Sequence, residues 1–223
     1  MTLAEPRFID PLQLEPSERY KLLIGGVLPR PIALVSSMSV SGELNVAPFS
    51  FFCGVGSDPM TLLFCPATRP DGEDKDTLRN VLPRSEGGTA EFVVNVVSHA
   101  LGRKTAASAE PLPYGHSEFE FAGLTPAPGR RVKVPRVAES LLSFECVTRQ
   151  VVRTNPGVPA SGNIVIGEVV GVCAAPGLIN ERHHVDPVML DAIGRMGGIT
   201  YATTRDRLDI PPGAAALKSQ PES

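Results

Sequence analysis

The chain has 223 residues, of which 42% are hydrophobic, and its mean hydropathy is close to zero, so we expect one globular domain with a buried core. Its 21 basic and 24 acidic residues give a net charge of −3 without a basic block, which argues against nucleic acid as the main partner and against a polybasic membrane anchor. The longest apolar stretch, residues 164–175, is interrupted by Glu168 and is too short to span a bilayer.

The first 28 residues predict an N-terminal arm followed by a short helix. They contain no apolar core of signal-peptide length and carry acidic residues early. The helix is predicted over residues 16–24, with Ser17 as its N-cap and Gly25-Gly26 as its stop. The four cysteines of the whole chain are widely spaced in apolar runs, which predicts buried thiols in a reducing cytoplasm rather than a disulfide framework.

Residues 29–52 predict two β-strands with polar side chains gathered near the break between them. An apolar run at 32–35 ends in small hydroxyl residues, and a second run at 44–47 follows a Ser-Gly turn and breaks at Pro48. Hydroxyl and amide groups beside an apolar floor are typical of a binding pocket. Residues 54–59 resemble a dinucleotide-binding loop only in part, because the third glycine position is a proline, so we predict a turn there.

A charged loop at residues 69–76 precedes a helix predicted over residues 77–82, with Asp76 as its N-cap. Free N–H groups at this helix start, next to Lys75 and Thr77, favour an anion such as a phosphate. The alternative is an ordinary solvated loop followed by a capped helix, which the local residues leave open. The composition of the loop does not select one phosphorylated ligand over another.

The middle of the chain contains one unusual residue, Asn95, inside a strand predicted over residues 91–97. A buried amide needs partners, so Asn95 either faces a ligand or pairs with a neighbouring turn. Residues 98–109 predict a helix of small residues. Residues 111–136 predict a loop rich in proline and glycine that carries Tyr114, Phe119 and Phe121.

Two long strands are predicted at residues 141–152 and 162–174, and a helix is predicted to begin at Asp186-Pro187 and to run to about residue 193. The tail, residues 205–223, is rich in proline, alanine and polar residues, and we expect it to be disordered or to wrap a neighbouring subunit.

Two other classes of site are not expected. The chain contains no Gly-x-Ser-x-Gly elbow, so a serine hydrolase is disfavoured. Adjacent side chains on an extended chain point to opposite sides, so His183 and His184 do not predict a metal site.

Four blocks in order carry a family resemblance: RPIALVSS at residues 30–37, NVAPFS at 45–50, KDT at 75–77 and RMGGITY at 195–201. Together they resemble the flavin reductase-like, FMN-binding split-barrel family, in particular flavoredoxins and the small reductase components of two-component monooxygenases. The resemblance implies a mainly β fold, a six-stranded antiparallel split barrel with flanking helices over residues 29–204. It also implies a homodimer with FMN at or near the subunit interface, reduced by NADH or NADPH.

A flavin of this kind leads us to expect a defined set of cofactor-binding residues. Those expected at the phosphate are Ser50, Lys75, Thr77 and Arg69, with Asp76 capping the adjacent helix. Those expected at the ribityl chain and the ring edge are Ser36, Ser37, Asn45 and Ala47. Arg195 is expected to reach the phosphate or a flavin carbonyl.

The expected activity is that of an FMN-dependent oxidoreductase that passes electrons to free flavin, oxygen or a partner protein such as a monooxygenase component. Related reductases often carry a histidine near the nicotinamide pocket at the strand position where this chain has Cys173. The alternatives are therefore a flavoredoxin-like electron carrier without its own NAD(P)H site, and a flavin-free ligand-binding barrel.

Overall fold

The computed structural model describes residues 5–113 and 116–217, and the elements below lie within those ranges. Tyr114 and the last six residues of the predicted tail lie outside them. The strands are β1 (Arg30–Pro31), β2 (Ala33–Met38), β3 (Leu44–Phe49), β4 (Phe52–Ser57), β5 (Met60–Phe64), β6 (Glu91–Val96), β7 (Pro126–Ala127), β8 (Arg136–Val137), β9 (Leu142–Arg153), β10 (Asn163–Ala174), β11 (Ile193–Arg195) and β12 (Tyr201–Thr203). The α-helices are α1 (Pro16–Gly26), α2 (Asp76–Val81), α3 (Gly102–Ala107), α4 (Glu118–Phe121) and α5 (Pro187–Leu190).

The fold is mainly β, with helices flanking one large antiparallel sheet. Seven strands form this sheet in the order β3-β2-β6-β9-β10-β5-β4, while β1, β11 and β12 form a smaller sheet and β7 pairs with β8. No helix in the described part of the chain is long and apolar enough to cross a membrane.

The large sheet has seven strands where six were predicted, and residues 54–59 were wrongly predicted to be a turn. Residues 52–57 form β4, an edge strand that pairs with β5, and the turn comes only at Asp58-Pro59. Glycines at an edge are tolerated because the strand pairs through its backbone and is exposed along most of its length.

The first three residues of strand β2 are all apolar, without the alternation of apolar and polar residues of a half-exposed strand, because both faces of β2 are buried. Ala33 and Val35 pack in a cluster with the rings of Phe64 and Phe92, whereas Leu34 packs on the opposite face in a second cluster. A strand covered on both faces reads as a continuous hydrophobic run. Successive side chains of a strand point to opposite faces, so Ser36 and Ser37 of β2 also lie on opposite faces of the sheet.

Strands β9 and β10 form a long hairpin whose register shifts near Gly167. A Cβ atom added at Gly167 would come within 2.3 Å of the ring of Phe92, a buried core residue. Glycine is therefore required at this position so that the hairpin can pack against β6.

Two helix starts differ from the predictions. Helix α1 begins at Pro16 with Glu15 rather than Ser17 as its N-cap, because the side chains of Glu15 and Glu18 each accept a hydrogen bond from the other residue's backbone. Helix α2 begins one residue earlier than predicted, with Lys75 rather than Asp76 at the N-cap position. Asp76 thus belongs to the first turn, where its carboxylate lies 3.7 Å from Arg79 on the same face.

The other two helices are shorter than predicted. Of residues 98–109 only Gly102–Ala107 is α-helical, and the chain after Ala107 runs as a loop. Helix α5 begins after Asp186, whose side chain caps it as predicted, but it ends at Leu190 because Ile193 begins strand β11.

An ion pair ties the charged loop before α2 to the β9–β10 hairpin, and its removal gives a first testable prediction. Arg153 binds Asp74 through two bonds of 2.7 and 2.6 Å, with about a quarter or less of either side chain exposed. We expect Arg153→Ala to lower the free energy of unfolding by about 1.5 kcal/mol at neutral pH. The hydrogen bond from Arg153 lowers the pKa of Asp74, so this stability is present above the ordinary aspartate pKa and is lost as the pH falls through the lowered value.

Urea denaturation of both proteins over a range of pH measures this effect, and the difference between them should shrink in acid. Arg149→Ala is the matched control, because Arg149 pairs with Glu168 but is 58% exposed, so its loss should cost below about 0.5 kcal/mol. An equal loss of unfolding free energy in Arg153→Ala and Arg149→Ala would contradict the stabilising role of the Arg153–Asp74 ion pair.

Candidate functional site

A pocket of about 290 Å³ opens between β3, the loop before α2 and the chain that follows α3, and we call it the Lys75 pocket. Its lining residues are Asn45, Ala47, Pro48, Phe49, Arg69, Pro70, Lys75, Asp76, Thr77, Ser108, Ala109, Glu110, Pro111, Leu112 and Glu118. Six of the ten predicted cofactor-binding residues are among them: Asn45, Ala47, Arg69, Lys75, Asp76 and Thr77.

The regular alternation of β3 explains why its predicted residues share the pocket. Asn45, Ala47 and Phe49 lie on one face of the strand, whereas Val46 between them packs into the core behind the opposite face. The first turn of α2 lies beside this face, because the Asn45 side chain bonds to Thr77. The pocket thus combines an apolar floor with a polar edge.

An amide–hydroxyl network orients the polar edge. Asn45 Nδ2 donates to Thr77 Oγ1 at 2.9 Å and to Ser37 Oγ at 3.1 Å, and Asn80 Nδ2 donates to the same Ser37 oxygen at 3.1 Å. Because Thr77 Oγ1 is the acceptor in this network, its own O–H is free to donate toward the pocket. Ser37 is fully buried and therefore supports the lining instead of contributing to it.

Lys75 is the cation that the pocket leaves uncompensated. Among residues 5–113 and 116–217 its ammonium group has neither an ion-pair nor a hydrogen-bond partner, although it keeps access to solvent. Partial desolvation lowers the pKa of Lys75, and the neighbouring charge of Arg69 lowers it further. Arg69 itself forms an ion pair with the exposed Asp71, at 3.3 Å. An anion in the pocket would therefore stabilise both charges.

Three carboxylates lie among the lining residues, those of Asp76, Glu110 and Glu118. Glu118 is buried and accepts a hydrogen bond from the backbone N–H of Val46 at 3.2 Å. Burial raises the pKa of Glu118, and the charge of Asp76 contributes in the same direction. The Oδ1 atom of Asp76 is buried without a hydrogen-bond donor within the described ranges. The pocket therefore offers acceptors for hydroxyl or N–H groups as well as cations for an anion.

Four predicted residues do not line the Lys75 pocket, and strand geometry gives the reason. Ser36 lies on the opposite face of β2 from Ser37, where its Oγ donates to the carbonyl of Pro135 at 2.6 Å and accepts from Asn95. Ser36 is a fully buried core residue in this fold, and its expected contact with a ribityl chain or ring edge stays a prediction.

Ser50 and Arg195 lie instead around the buried Arg30. The hydroxyl of Ser50 accepts from Arg30 Nε at 3.1 Å, and Arg195 is the partner of Arg30 in the β1–β11 register. The Arg195 guanidinium donates to Gly198 and lies 4.5 Å from the ring centre of Tyr201. Neither residue is among those that line the Lys75 pocket, and the flavin contacts expected for both stay predictions.

The structure decides the open question about Asn95 in favour of a structural role. Its Nδ2 donates to the carbonyl of Leu34 at 3.0 Å, and its Oδ1 accepts from Val137 N and from Ser143 Oγ, both at 2.9 Å. Asn95 is fully buried and is not among the residues that line the Lys75 pocket.

Sequence reasoning missed Glu118 and the wall formed by residues 108–112. Residues 108 and 109 of this wall belong to the segment predicted to be helical, whereas residues 111 and 112 belong to the loop predicted from residue 111. Glu118 follows Ser117, the N-cap of the short helix α4, and looks like an ordinary acidic residue in a first turn. Its burial depends on packing of α4 against β3, which no local pattern indicates.

The raised pKa of Glu118 predicts a stabilising substitution. We expect Glu118→Gln to raise the free energy of unfolding by about 1 kcal/mol at neutral pH, because the amide keeps an acceptor for Val46 without a buried charge. The favourable contribution of wild-type Glu118 is complete below the ordinary glutamate pKa and is lost as the pH rises through the raised value. The two proteins should therefore be equally stable in acid and diverge toward neutrality.

Chemical denaturation as a function of pH tests this, with Glu120→Gln as the control because Glu120 is an exposed residue of the same helix. A Glu118→Gln protein that is less stable than wild type at neutral pH would contradict the expectation.

Comparison with known proteins agrees with this architecture. Residues 25–197 match the model of the flavin reductase like domain. An uncharacterised protein from Deinococcus radiodurans is 41% identical over 209 residues, which are 90% of this chain and 87% of that protein.

Two solved structures extend the comparison. Nitrilotriacetate monooxygenase component B from Bacillus cereus is 30% identical with a TM-score of 0.85, and the match covers 93% of this chain and all of that one. A split-barrel protein from Shewanella frigidimarina is 19% identical with a TM-score of 0.76, and the match covers 91% of this chain and 96% of that one. The fold is thus the split barrel that the sequence predicts, and the chain belongs to the flavin reductase-like family.

Proposed function

We propose that the protein is an FMN-dependent oxidoreductase that accepts hydride from NADH or NADPH and passes electrons to free flavin, oxygen or a partner protein. Membership of the flavin reductase-like family supports a flavin-related oxidoreductase. The observation that carries the finer proposal is the Lys75 pocket, in which a lysine and a threonine O–H without partners in the described part of the chain lie beside an apolar floor.

The chemistry of the pocket fits FMN. A flavin mononucleotide has a flat, largely apolar ring system, a chain of hydroxyl groups and a terminal phosphate. Lys75, Arg69 and Thr77 supply two cations and a hydroxyl donor for the phosphate. Asn45 and the strand backbone near Ala47 supply acceptors and donors for the hydroxyl chain and the polar edge of the ring.

Bound FMN would supply the redox chemistry, accepting hydride at its N5 atom and delivering electrons onward. The side chains of the chain then have binding and orienting roles. Lys75 and Arg69 neutralise the phosphate, Asn45 orients Thr77, and Glu118 with the Ser108–Leu112 wall limits access of water to one side of the pocket.

We further propose that the protein is a cytoplasmic homodimer. Helix α1 has no buried residue, and the side chains of Tyr20, Leu22 and Leu23 on it are about half exposed. A second copy of the chain that covered α1 would bury this apolar surface. The free cysteines are consistent with a reducing compartment.

The acceptor that we favour is a partner monooxygenase, because the Bacillus cereus protein is by its name component B of a nitrilotriacetate monooxygenase. The second candidate function is an FMN-binding electron carrier without its own NAD(P)H site. It is favoured by Cys173, which occupies the strand position at which related reductases often have a histidine.

A visible absorption spectrum of the purified protein with FMN, recorded anaerobically before and after addition of NADH or NADPH, tests the proposal. Flavin that is bound and then bleached by either nucleotide is the expected result. Flavin that binds but is not bleached would favour the carrier. Absence of flavin binding would overturn both and leave a ligand-binding barrel.

A further inference from the structure

A second and larger cavity, of about 630 Å³, lies between the loop before β8, the start of β9 and the end of β10. Arg130, Arg136 and Cys173 line it together with apolar groups such as Leu141, Val172 and Pro176. It shares no lining residue with the Lys75 pocket. Its volume is within the range of small-molecule sites in proteins.

The two arginines give this cavity an uncompensated positive charge. Neither guanidinium group has an ion-pair or hydrogen-bond partner in the described part of the chain, although Arg136 is only partly exposed. Arginines in partly enclosed positions are normally paired with carboxylates or bind anions. Both side chains lie close enough to Cys173 to act electrostatically on its thiol.

The nearby carboxylate of Glu145 does not neutralise the two arginines. Glu145 is fully buried and accepts hydrogen bonds from the backbone N–H groups of Arg130 at 2.9 Å and Val132 at 3.3 Å, and from the thiol of Cys173 at 3.4 Å. These donors compensate the charge of Glu145 locally, and the backbone bonds hold the loop that carries Arg130 against β9. The guanidinium groups therefore remain available to a ligand.

We propose that this cavity binds a small organic anion, a carboxylate or a phosphate ester attached to an apolar body, through Arg130 and Arg136. The guanidinium pair recognises the anionic group, since planar N–H donors match carboxylate and phosphate oxygens. The apolar wall of Leu141, Val172 and Pro176 packs against the body of the ligand. In the proposed reaction such a ligand is either the phosphorylated reductant or a carboxylate acceptor.

Alkylation of Cys173, followed by peptide mass spectrometry, tests the proposal at the cavity itself. The wild-type chain is treated with iodoacetamide at mildly alkaline pH, alone and with benzoate, adenosine 2′,5′-bisphosphate, inorganic phosphate or FMN. We expect benzoate or the bisphosphate to slow alkylation of Cys173, and the more protective of the two identifies the carboxylate or the nucleotide source. Cys53, which is exposed and lies outside the cavity, is the internal control and should react at an unchanged rate.

Substitution of the arginines completes the test. We expect Arg130→Gln and Arg136→Gln each to weaken the protecting ligand about tenfold, the loss of a hydrogen bond to a charged group. Arg103→Gln on helix α3 removes an exposed arginine outside the cavity and should change nothing. Protection by FMN would support the site, because FMN is a phosphate ester attached to a largely apolar body. The proposal is overturned if neither benzoate nor the bisphosphate protects Cys173, if protection survives both substitutions, or if inorganic phosphate alone protects as well as they do. No flavin turnover is measured, so the outcome is independent of the proposed reductase activity.

Discussion

We expect Lys75→Ala to weaken FMN binding by about 1.5–3 kcal/mol, an increase in Kd of roughly 10- to 150-fold. The reason is that Lys75 lines the pocket without a partner among the residues the structure describes, so its charge is available to the phosphate of the ligand. Its pKa is lowered by desolvation and by Arg69, and an anion would reverse that effect. Fluorescence quenching of FMN on binding measures the affinity directly.

Three further measurements separate this role from a structural one. The free energy of unfolding of Lys75→Ala without flavin should equal that of wild type or exceed it, because the lysine lies near Arg69 and has no ion pair to lose. Lys133→Ala, which removes an exposed lysine outside the Lys75 pocket, should bind FMN normally. The loss in Lys75→Ala should also shrink at high salt, because ions screen an interaction that keeps access to solvent. An unchanged FMN affinity in Lys75→Ala would contradict the phosphate assignment.

The predicted residues that lie together in the Lys75 pocket are those whose positions follow from short-range rules. The two-residue period of a strand places Asn45 and Ala47 on one face, and the loop before α2 carries Arg69 and Lys75 to the same pocket. The same period explains why Ser36 and Ser37 lie apart, since the side chains of consecutive residues in a strand point to opposite faces of the sheet. Ser37 supports the pocket, whereas Ser36 belongs to the opposite face.

The positions of the other residues in and near the site depend on contacts between distant parts of the chain. Glu118 enters the pocket because α4 packs on β3, more than 70 residues away along the chain, as its bond to Val46 shows. Ser50 follows β3 directly but turns toward Arg30, whose other N–H groups bind the carbonyls of Ile24 and Met196. The residues around Ser50 in the sequence do not indicate whether its hydroxyl binds Arg30 or lies near Lys75.

Asn95 has a structural role in the core, and a structural role predicts a large loss of stability on substitution without a loss of flavin affinity. We expect Asn95→Leu to lower the free energy of unfolding by about 3–4 kcal/mol, because Val137 N–H and the hydroxyl of Ser143 lose their acceptor inside the core. Ser143→Ala removes one bond of this network and should cost about 1 kcal/mol. Asn155→Leu, the same change at an exposed turn residue, should have little effect.

The affinity of the same variants for FMN then distinguishes a structural asparagine from a ligand-binding one. Asn95 bonds to the backbone of β2 and to the last residue of β8, and it is not among the residues that line the Lys75 pocket. A folded fraction of Asn95→Leu, or Ser143→Ala if the former does not fold, should therefore bind FMN with the wild-type Kd. A large loss of flavin affinity in a stably folded Ser143→Ala protein would mean that the network positions the cofactor, and that the pocket extends across β2 to its other face.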